Sequence, residues 1–260
     1  MSAKPEITAI LALYDNYIWA IHDGSHAVIV DPGEARPVLA FLQARDLVLK
    51  AILCTHRHHD HVDGIAELRE VYNVPVYGRR HPDNPHITDD LQEGDRLDLG
   101  APPTSLDIAF DIISLPGHLE DHIAYLAPGL VFSGDIMFGA GCGRNYEGTP
   151  AQLQHSLQRL AGLPDDTLIY CAHEYTAANL RFAVACEPGN PAIAQRIEAT
   201  RQLRAAHQPS VPLTIALEKA TNLFLRCAQP EIIRTLQQRG LADTGELAVF
   251  AALRQWKNHF

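Results

Sequence analysis

The chain has 260 residues, 47% hydrophobic and 20% charged, with a net charge of −10. That is enough apolar chain for one large domain, or one domain with a small companion, and it excludes disorder as the default. The acidic balance argues against general affinity for nucleic acid or an anionic membrane. The longest uncharged stretches, thirteen residues such as His122 to Gly134, are too short for a transmembrane helix.

The N-terminal Met1-Ser2-Ala3-Lys4-Pro5-Glu6 enters an apolar run that Asp15 cuts short. This is not the pattern of a signal peptide, so the expected compartment is the cytoplasm. Ile7 to Leu13, Tyr17 to His22 and His26 to Val30 have the composition of strands, separated by Asp15-Asn16 and Asp23-Gly24 turns and closed by Asp31-Pro32-Gly33. Pro37 to Ala44 is helix-like. Lys50 to Cys54 is a buried strand that runs into Thr55-His-Arg-His-His-Asp-His61, and Gly64 opens a helix over Ile65 to Tyr72. Further strands are predicted at Val74 to Tyr77, Ile108 to Leu115, Ile123 to Leu126, Val131 to Ser133 and Leu168 to Cys171. Thr149-Pro150 starts a helix to about Leu160, with Thr149 as its N-cap. After Glu174 strand signals nearly vanish, and helices are predicted at Thr176 to Ala185, Ala192 to His207, Pro230 to Gln238 and Glu246 to Trp256.

Charge divides the chain at the same place. Residues 1–174 hold 11 Lys and Arg against 25 Asp and Glu, a balance of −14, whereas residues 175–260 hold 10 against 6, a balance of +4. Two parts are therefore expected: an acidic mixed α/β domain, 1–174, and a basic helical domain, 175–260. The five cysteines are odd in number and none is closely spaced, so small buried thiols are expected rather than disulfides or a metal knuckle.

Histidine is the unusual component, with fourteen in the chain and four inside residues 56–61. In a turn leaving a strand, alternate side chains converge, so His56 and His58 can share an ion while Asp60 and His61 turn toward a second point. Neutral imidazole and carboxylate suit zinc, iron or manganese. The competing explanation is a solvated loop that happens to be rich in histidine. Against it, His118, Asp135 and His173 each follow an apolar run, where loops at strand ends gather a site. These seven residues suit two metals sharing a carboxylate. Cys54 and Ser133 lack the partners of a nucleophile, and no G-x-S-x-G elbow is present.

The T-H-x-H-x-D-H signature at Thr55 to His61 resembles that of the metallo-β-lactamase superfamily. Asp15-Asn-Tyr17, Gly141-Cys-Gly-Arg-Asn-Tyr-Glu-Gly148, His173-Glu-Tyr-Thr176, Asn222-Leu-Phe-Leu-Arg226 and Arg254-x-x-Lys257 are similar to segments of its hydroxyacylglutathione hydrolase branch, the glyoxalase II family. The resemblance spans nearly the whole chain. It implies an αββα sandwich of two mixed sheets followed by a small all-α C-terminal domain. It also implies one metal on His56, His58 and His118, a second on Asp60, His61 and His173, and Asp135 as the bridge. The metals would be two divalent ions, zinc first, with iron or manganese accepted. Glutathione would be held by Arg144, Tyr146, Tyr175, Arg254 and Lys257. The implied reaction is hydrolysis of S-(2-hydroxyacyl)glutathione, such as S-D-lactoylglutathione, by a hydroxide shared between the ions, with Asp60 orienting it.

Rival activities are an iron-dependent glutathione-persulfide dioxygenase and a lactonase or esterase. A non-catalytic glutathione- or metal-binding protein is a fourth reading. The chain departs from the family pattern at Asp63, Leu119 and Asp121, and has Arg144 where lysine is common and Asn258 where aspartate is common. Asp63 and Asp121 are expected to face solvent, His59 to point away from the ions, and His122 to support the site. A monomer or weak homodimer is expected, with no nucleic-acid or membrane partner.

Overall fold

The computed structural model describes residues 5–102 and 104–260; the Met1–Lys4 start considered above for a leader lies outside them. The chain forms two compact units. The first runs to Ser114 and takes in Asp121–Gly134, and the second comprises Leu115–Glu120 and Asp135–Phe260.

In the first unit β1 (Glu6–Ala12), β2 (Asn16–His22) and β3 (His26–Val30) run antiparallel, with Ala12 opposite Asn16 at the first turn. α1 (Ala35–Ala44) leads to β4 (Val48–Leu53), which lies parallel to β3. Beyond the histidine segment come α2 (His59–Val62) and α3 (Ile65–Val71), then β5 (Val76–Gly78) and β6 (Asp89–Asp90), which extend the sheet in parallel. A second, antiparallel set consists of β7 (Arg96–Asp98), β8 (Ala109–Ser114), β9 (Ile123–Ala127) and β10 (Leu130–Gly134).

Every residue of β2 is buried, as expected of a strand covered on both faces. Ile18 and Ala20 join Ala35, Val38 and Leu42 of α1 and Ile65 and Leu68 of α3 in one core cluster, so both helices lie on the outer face of this sheet. Positions 35, 38 and 42 follow the helical period, which puts one stripe of α1 against the sheet. The two strand sets stack through Tyr125 of β9. Its hydroxyl donates to the Cys54 and Tyr77 carbonyls at 2.9 and 3.0 Å, and its ring meets Phe110 edge-on. A buried phenol requires such acceptors, so this residue pins one sheet to the other at the end of β4.

The second unit contains the hairpin β11 (Met137–Phe138) and β12 (Gly141–Cys142), then α4 (Pro150–Ala161), β13 (Leu168–Cys171), α5 (Thr176–Cys186) and α6 (Pro191–Ala205). It continues with β14 (Leu213–Thr214), antiparallel to β13, α7 (Ile215–Thr221), a 3-10 turn at Leu223–Leu225, α8 (Pro230–Gln238) and α9 (Glu246–Asn258). Its helices are knit by ion pairs, Arg196 with Glu218 fully buried and Arg226 with Glu187 part-buried.

β3, β13 and α8 begin and end where the sequence places them, and the other predicted elements agree within a few residues. The sequence reading omits α2, α7 and the two- or three-residue strands β6, β7, β11, β12 and β14. Such short segments carry no measurable period. All five cysteines are buried and free, as expected. Among the described residues, no helix is long and apolar enough to cross a membrane.

Candidate metal centre

Four of the predicted ligands lie together in the first unit, just past the end of β4. Asp31, at the end of β3, organises them. It is 4% exposed and accepts the Thr55 amide and the Thr55 hydroxyl, both at 2.7 Å. Since the hydroxyl proton goes to Asp31, Thr55 Oγ1 accepts from His56 Nδ1 at 3.1 Å. Asp31 also accepts from His61 Nδ1 at 3.1 Å. In both imidazoles the proton is thereby fixed on Nδ1 and the lone pair on Nε2. His56 Nε2 stands 3.1 Å from His58 Nδ1, and His61 Nε2 stands 3.5 Å from Asp60 Oδ2. Asp60 is steered from the β1–β2 hairpin, where Asn16 Nδ2 donates to its Oδ2 at 3.0 Å and to its carbonyl at 3.2 Å. Asp60 and His61 stand on the single turn α2.

His122 stacks on His56 with centroids 4.8 Å apart, a supporting place of the kind predicted. The β10 end closes over the pair: Gly134 has φ +49°, and a Cβ there would lie 2.3 Å from Thr55 Oγ1 and 2.7 Å from His122 Nε2. Only glycine fits. His59 is 91% exposed and bonds Asp63 at 3.1 Å, so it points to solvent as expected. Asp121 does not face solvent as predicted. Its side chain is 17% exposed and pairs with Arg57, which sits between two ligands and is also 3.7 Å from Asp83. An arginine placed inside the histidine segment and largely buried requires such an anion.

The other three predicted ligands lie together in the second unit. Asp135 Oδ2 is 3.6 Å from His118 Nε2, and Asp135 Oδ1 is 3.4 Å from His173 Nε2. His118 Nδ1 donates to the Arg144 carbonyl at 2.7 Å, which again leaves the Nε2 lone pair facing the carboxylate. Tyr175 stacks flat on His173 at 4.7 Å, and Tyr146 meets His118 edge-on at 5.4 Å while staying 61% exposed. Arg144 is exposed and Lys257 is partly buried. Burial, with Arg254, Arg181 and Arg144 nearby, pushes the Lys257 ammonium below its ordinary pKa. Arg254 is 5% exposed, with Nη1 donating to the Cys142 carbonyl at 2.8 Å and Nε to Asn258 Oδ1 at 3.0 Å.

The donor chemistry fits divalent metal. In each unit imidazole lone pairs, their tautomers set by a bond at the other nitrogen, face a carboxylate or a second imidazole, an arrangement that a bound cation satisfies. A thiol nucleophile is not available at the strand end, because burial raises the Cys54 pKa well above its ordinary value. The residues the sequence reading did not assign are Asp31, Thr55 and Asn16. Asp31-Pro32-Gly33 was visible as a strand terminator, but nothing local marked its carboxylate as the partner of residues 55 and 61.

Residues 13–173 match the model of the metallo-beta-lactamase superfamily, and residues 174–260 match the model described as hydroxyacylglutathione hydrolase C-terminus. A hydroxyacylglutathione hydrolase of Methylobacillus flagellatus is 47% identical over 255 residues, 98% of this chain and 99% of that one. One of Dechloromonas aromatica is 48% identical over 273 residues, with the same shares. The crystal structure of TTHA1623 in a di-iron-bound form is 27% identical with a TM-score of 0.59, and covers 86% of this chain and all of its own. The fold is thus that of the metallo-β-lactamases with a helical C-terminal part, and the chain belongs to the hydroxyacylglutathione hydrolase family of that superfamily.

Proposed function

We propose that this hydrolase cleaves S-(2-hydroxyacyl)glutathione thioesters, such as S-D-lactoylglutathione, to glutathione and a 2-hydroxy acid. This is the second step of methylglyoxal detoxification, and in this reading the protein works in the cytoplasm as a monomer or weak homodimer. The observation that carries the reading is the set of seven candidate ligands, with the tautomers of His56, His61 and His118 fixed by Thr55, Asp31 and the Arg144 carbonyl. It occurs in a chain whose residues 174–260 match the hydroxyacylglutathione hydrolase C-terminal model.

In this reading His56, His58 and His118 would hold one divalent ion and Asp60, His61 and His173 the other, with the Asp135 carboxylate serving both. Zinc suits these mixed nitrogen and oxygen donors, and iron and manganese are accepted by the same set. When bound, two such ions supply a water that ionises near neutral pH and an electrophile for the thioester carbonyl. The protein's part is to orient. Asn16 holds Asp60 Oδ2, so the Asp60 carboxylate is turned to ligate and to accept a hydrogen bond from the attacking oxygen. A thiolate leaves without protonation, so no separate general acid is required. Arg144, Tyr146, Tyr175, Arg254 and Lys257 hold the anionic thiol carrier. The catalytic domain is residues 1–174, and residues 175–260 form the helical substrate-binding domain.

The test is metal analysis and S-D-lactoylglutathione hydrolysis on one sample purified without added metal. About two metal equivalents with rapid cleavage are expected. One iron equivalent without cleavage, together with oxygen uptake on glutathione persulfide, would overturn the assignment. Two metals without cleavage would discard the substrate.

A further inference from the structure

Within the first unit the histidine segment is laced to the start of β9 over three successive residues. Ile123 N donates to the Thr55 carbonyl at 2.9 Å. His122 stacks on His56, with ring planes 21° apart. Asp121 Oδ1 accepts from Arg57 Nη1. The pairs run 55 with 123, 56 with 122 and 57 with 121, so the two segments lie side by side and antiparallel. The ion pair is the outermost of the three, and it carries the lacing to the residue that precedes His58.

Arg57 is an unexpected residue for its place. It lies between two residues proposed to hold a cation, and its side chain is only 11% exposed. An uncompensated guanidinium in this segment would work against a bound dication. Two carboxylates face it. Asp83 Oδ2 is 3.7 Å from Arg57 Nε, but the Asp83 side chain is 73% exposed, so solvent screens most of its effect. Asp121 is the stronger partner, being largely buried and directly bonded. It stands at a position where the chain departs from the family pattern.

The backbone gives the pair a second task. Alternate side chains of an extended segment take opposite sides. His58 is still extended, at φ −61° and ψ 146°, before the chain turns into α2. His56 Nε2 and His58 Nδ1 meet at 3.1 Å on one side, so Arg57 leaves on the other and is gripped there. Holding Arg57 fixes the rotation of the segment about its own axis, and with it the side to which both imidazoles point.

We infer that Arg57 and Asp121 form a positioning pair for the proposed metal ligands His56 and His58. Asp121 anchors Arg57 on the far side of the segment, keeps the two imidazoles facing a common point, and offsets the guanidinium charge. The inference rests on the ligand roles proposed for His56 and His58.

The experiment is a double-mutant cycle read by cobalt(II) binding and visible absorption of chelator-stripped full-length protein. R57Q and D121N are each expected to bind cobalt roughly 10-fold more weakly than wild type, with an altered spectrum. The double variant R57Q/D121N is expected to lose about as much as the worse single variant, not the product of the two losses, because the pair acts as a unit. R57K is expected to restore part of the affinity, since it keeps the charge and loses the forked donor. Arg79→Gln, which breaks the 3.3 Å Arg79–Asp90 ion pair beside β5 and β6, is expected to keep wild-type binding. If R57Q does not fold, D121N and R57K carry the comparison. Wild-type affinity and spectrum in the folded single variants, multiplied losses in the double variant, or an equal loss in Arg79→Gln would overturn the inference. A wild-type chain that takes up no cobalt would instead overturn the ligand assignment beneath it. Cobalt binding without thioester turnover would overturn the substrate alone, because the metal readout does not depend on it.

Discussion

Asp31 accepts three hydrogen bonds on one buried carboxylate, from the Thr55 amide, the Thr55 hydroxyl and His61 Nδ1. Through Thr55 it also sets the tautomer of His56. Substituting Asp31→Asn puts an amide where an anion is needed, so at least one of these donors loses its acceptor. Such partners of metal-bound histidine are typically worth roughly 10–100-fold in metal affinity. Competition against a chromophoric chelator is expected to show a loss of that size in D31N; unchanged affinity would mean that Asp31 only braces the strand end. The seven candidate ligands were legible because their residue types are uncommon and four of them fall within six positions. Their supports were not. Asp31 acts across 24 and 30 residues, and Arg57 finds Asp121 across 64. Residue identity announces a ligand, whereas a long-range acceptor looks like any other aspartate or carbonyl until the fold brings it home.

Elements were legible where the local signal is strong. α4 starts at the predicted Thr149-Pro150, and the structure adds the reciprocal half of the cap. Gln152 N donates to Thr149 Oγ1 at 3.2 Å, and Thr149 N donates to Gln152 Oε1 at 2.8 Å. Further along α4, Ser156 Oγ donates to the Pro116 carbonyl at 2.6 Å, so this helix braces the segment that carries His118. Thr149→Ala is expected to cost about 1 kcal/mol, because one helix-end amide loses its acceptor. Two-state thermal melts would register that as a Tm lower by about 2–4 °C for a chain of this size. Metal affinity is expected to hold, since Ser156 and Pro116 keep their bond; a parallel loss of metal would show that the cap, too, positions His118. By contrast, α2 was legible only as a ligand-bearing turn. Its four residues are too few for a helical period, and its geometry is set by Asn16 and Asp31 from outside it.

For the whole molecule the sharpest sequence-level contrast is charge, −14 over residues 1–174 and +4 over residues 175–260. An anionic thioester meets a chain of net −10, so its capture depends on local cations. Among the residues proposed to hold it, Lys257 is an ammonium whose pKa is lowered. Burial comes first in lowering its pKa below 10.5, followed by Arg254, Arg181 and Arg144. The sign follows directly. A lowered pKa means that the free enzyme loses this positive charge at lower pH than an ordinary lysine would. A bound anion opposes that loss by favouring the charged form. KM for a glutathione thioester is therefore flat on the neutral side and rises with pH through an apparent pKa below 10.5, while kcat, read on bound substrate, changes less there. In Lys257→Met the KM at neutral pH is already high and this alkaline rise disappears. The measurement is a pair of KM–pH profiles at fixed ionic strength, wild type against variant, over a range in which both remain folded. Parallel profiles would remove Lys257 from the carrier site and leave Arg254 and Arg144, the latter exposed beside the ligand loop, as the cations that receive the substrate.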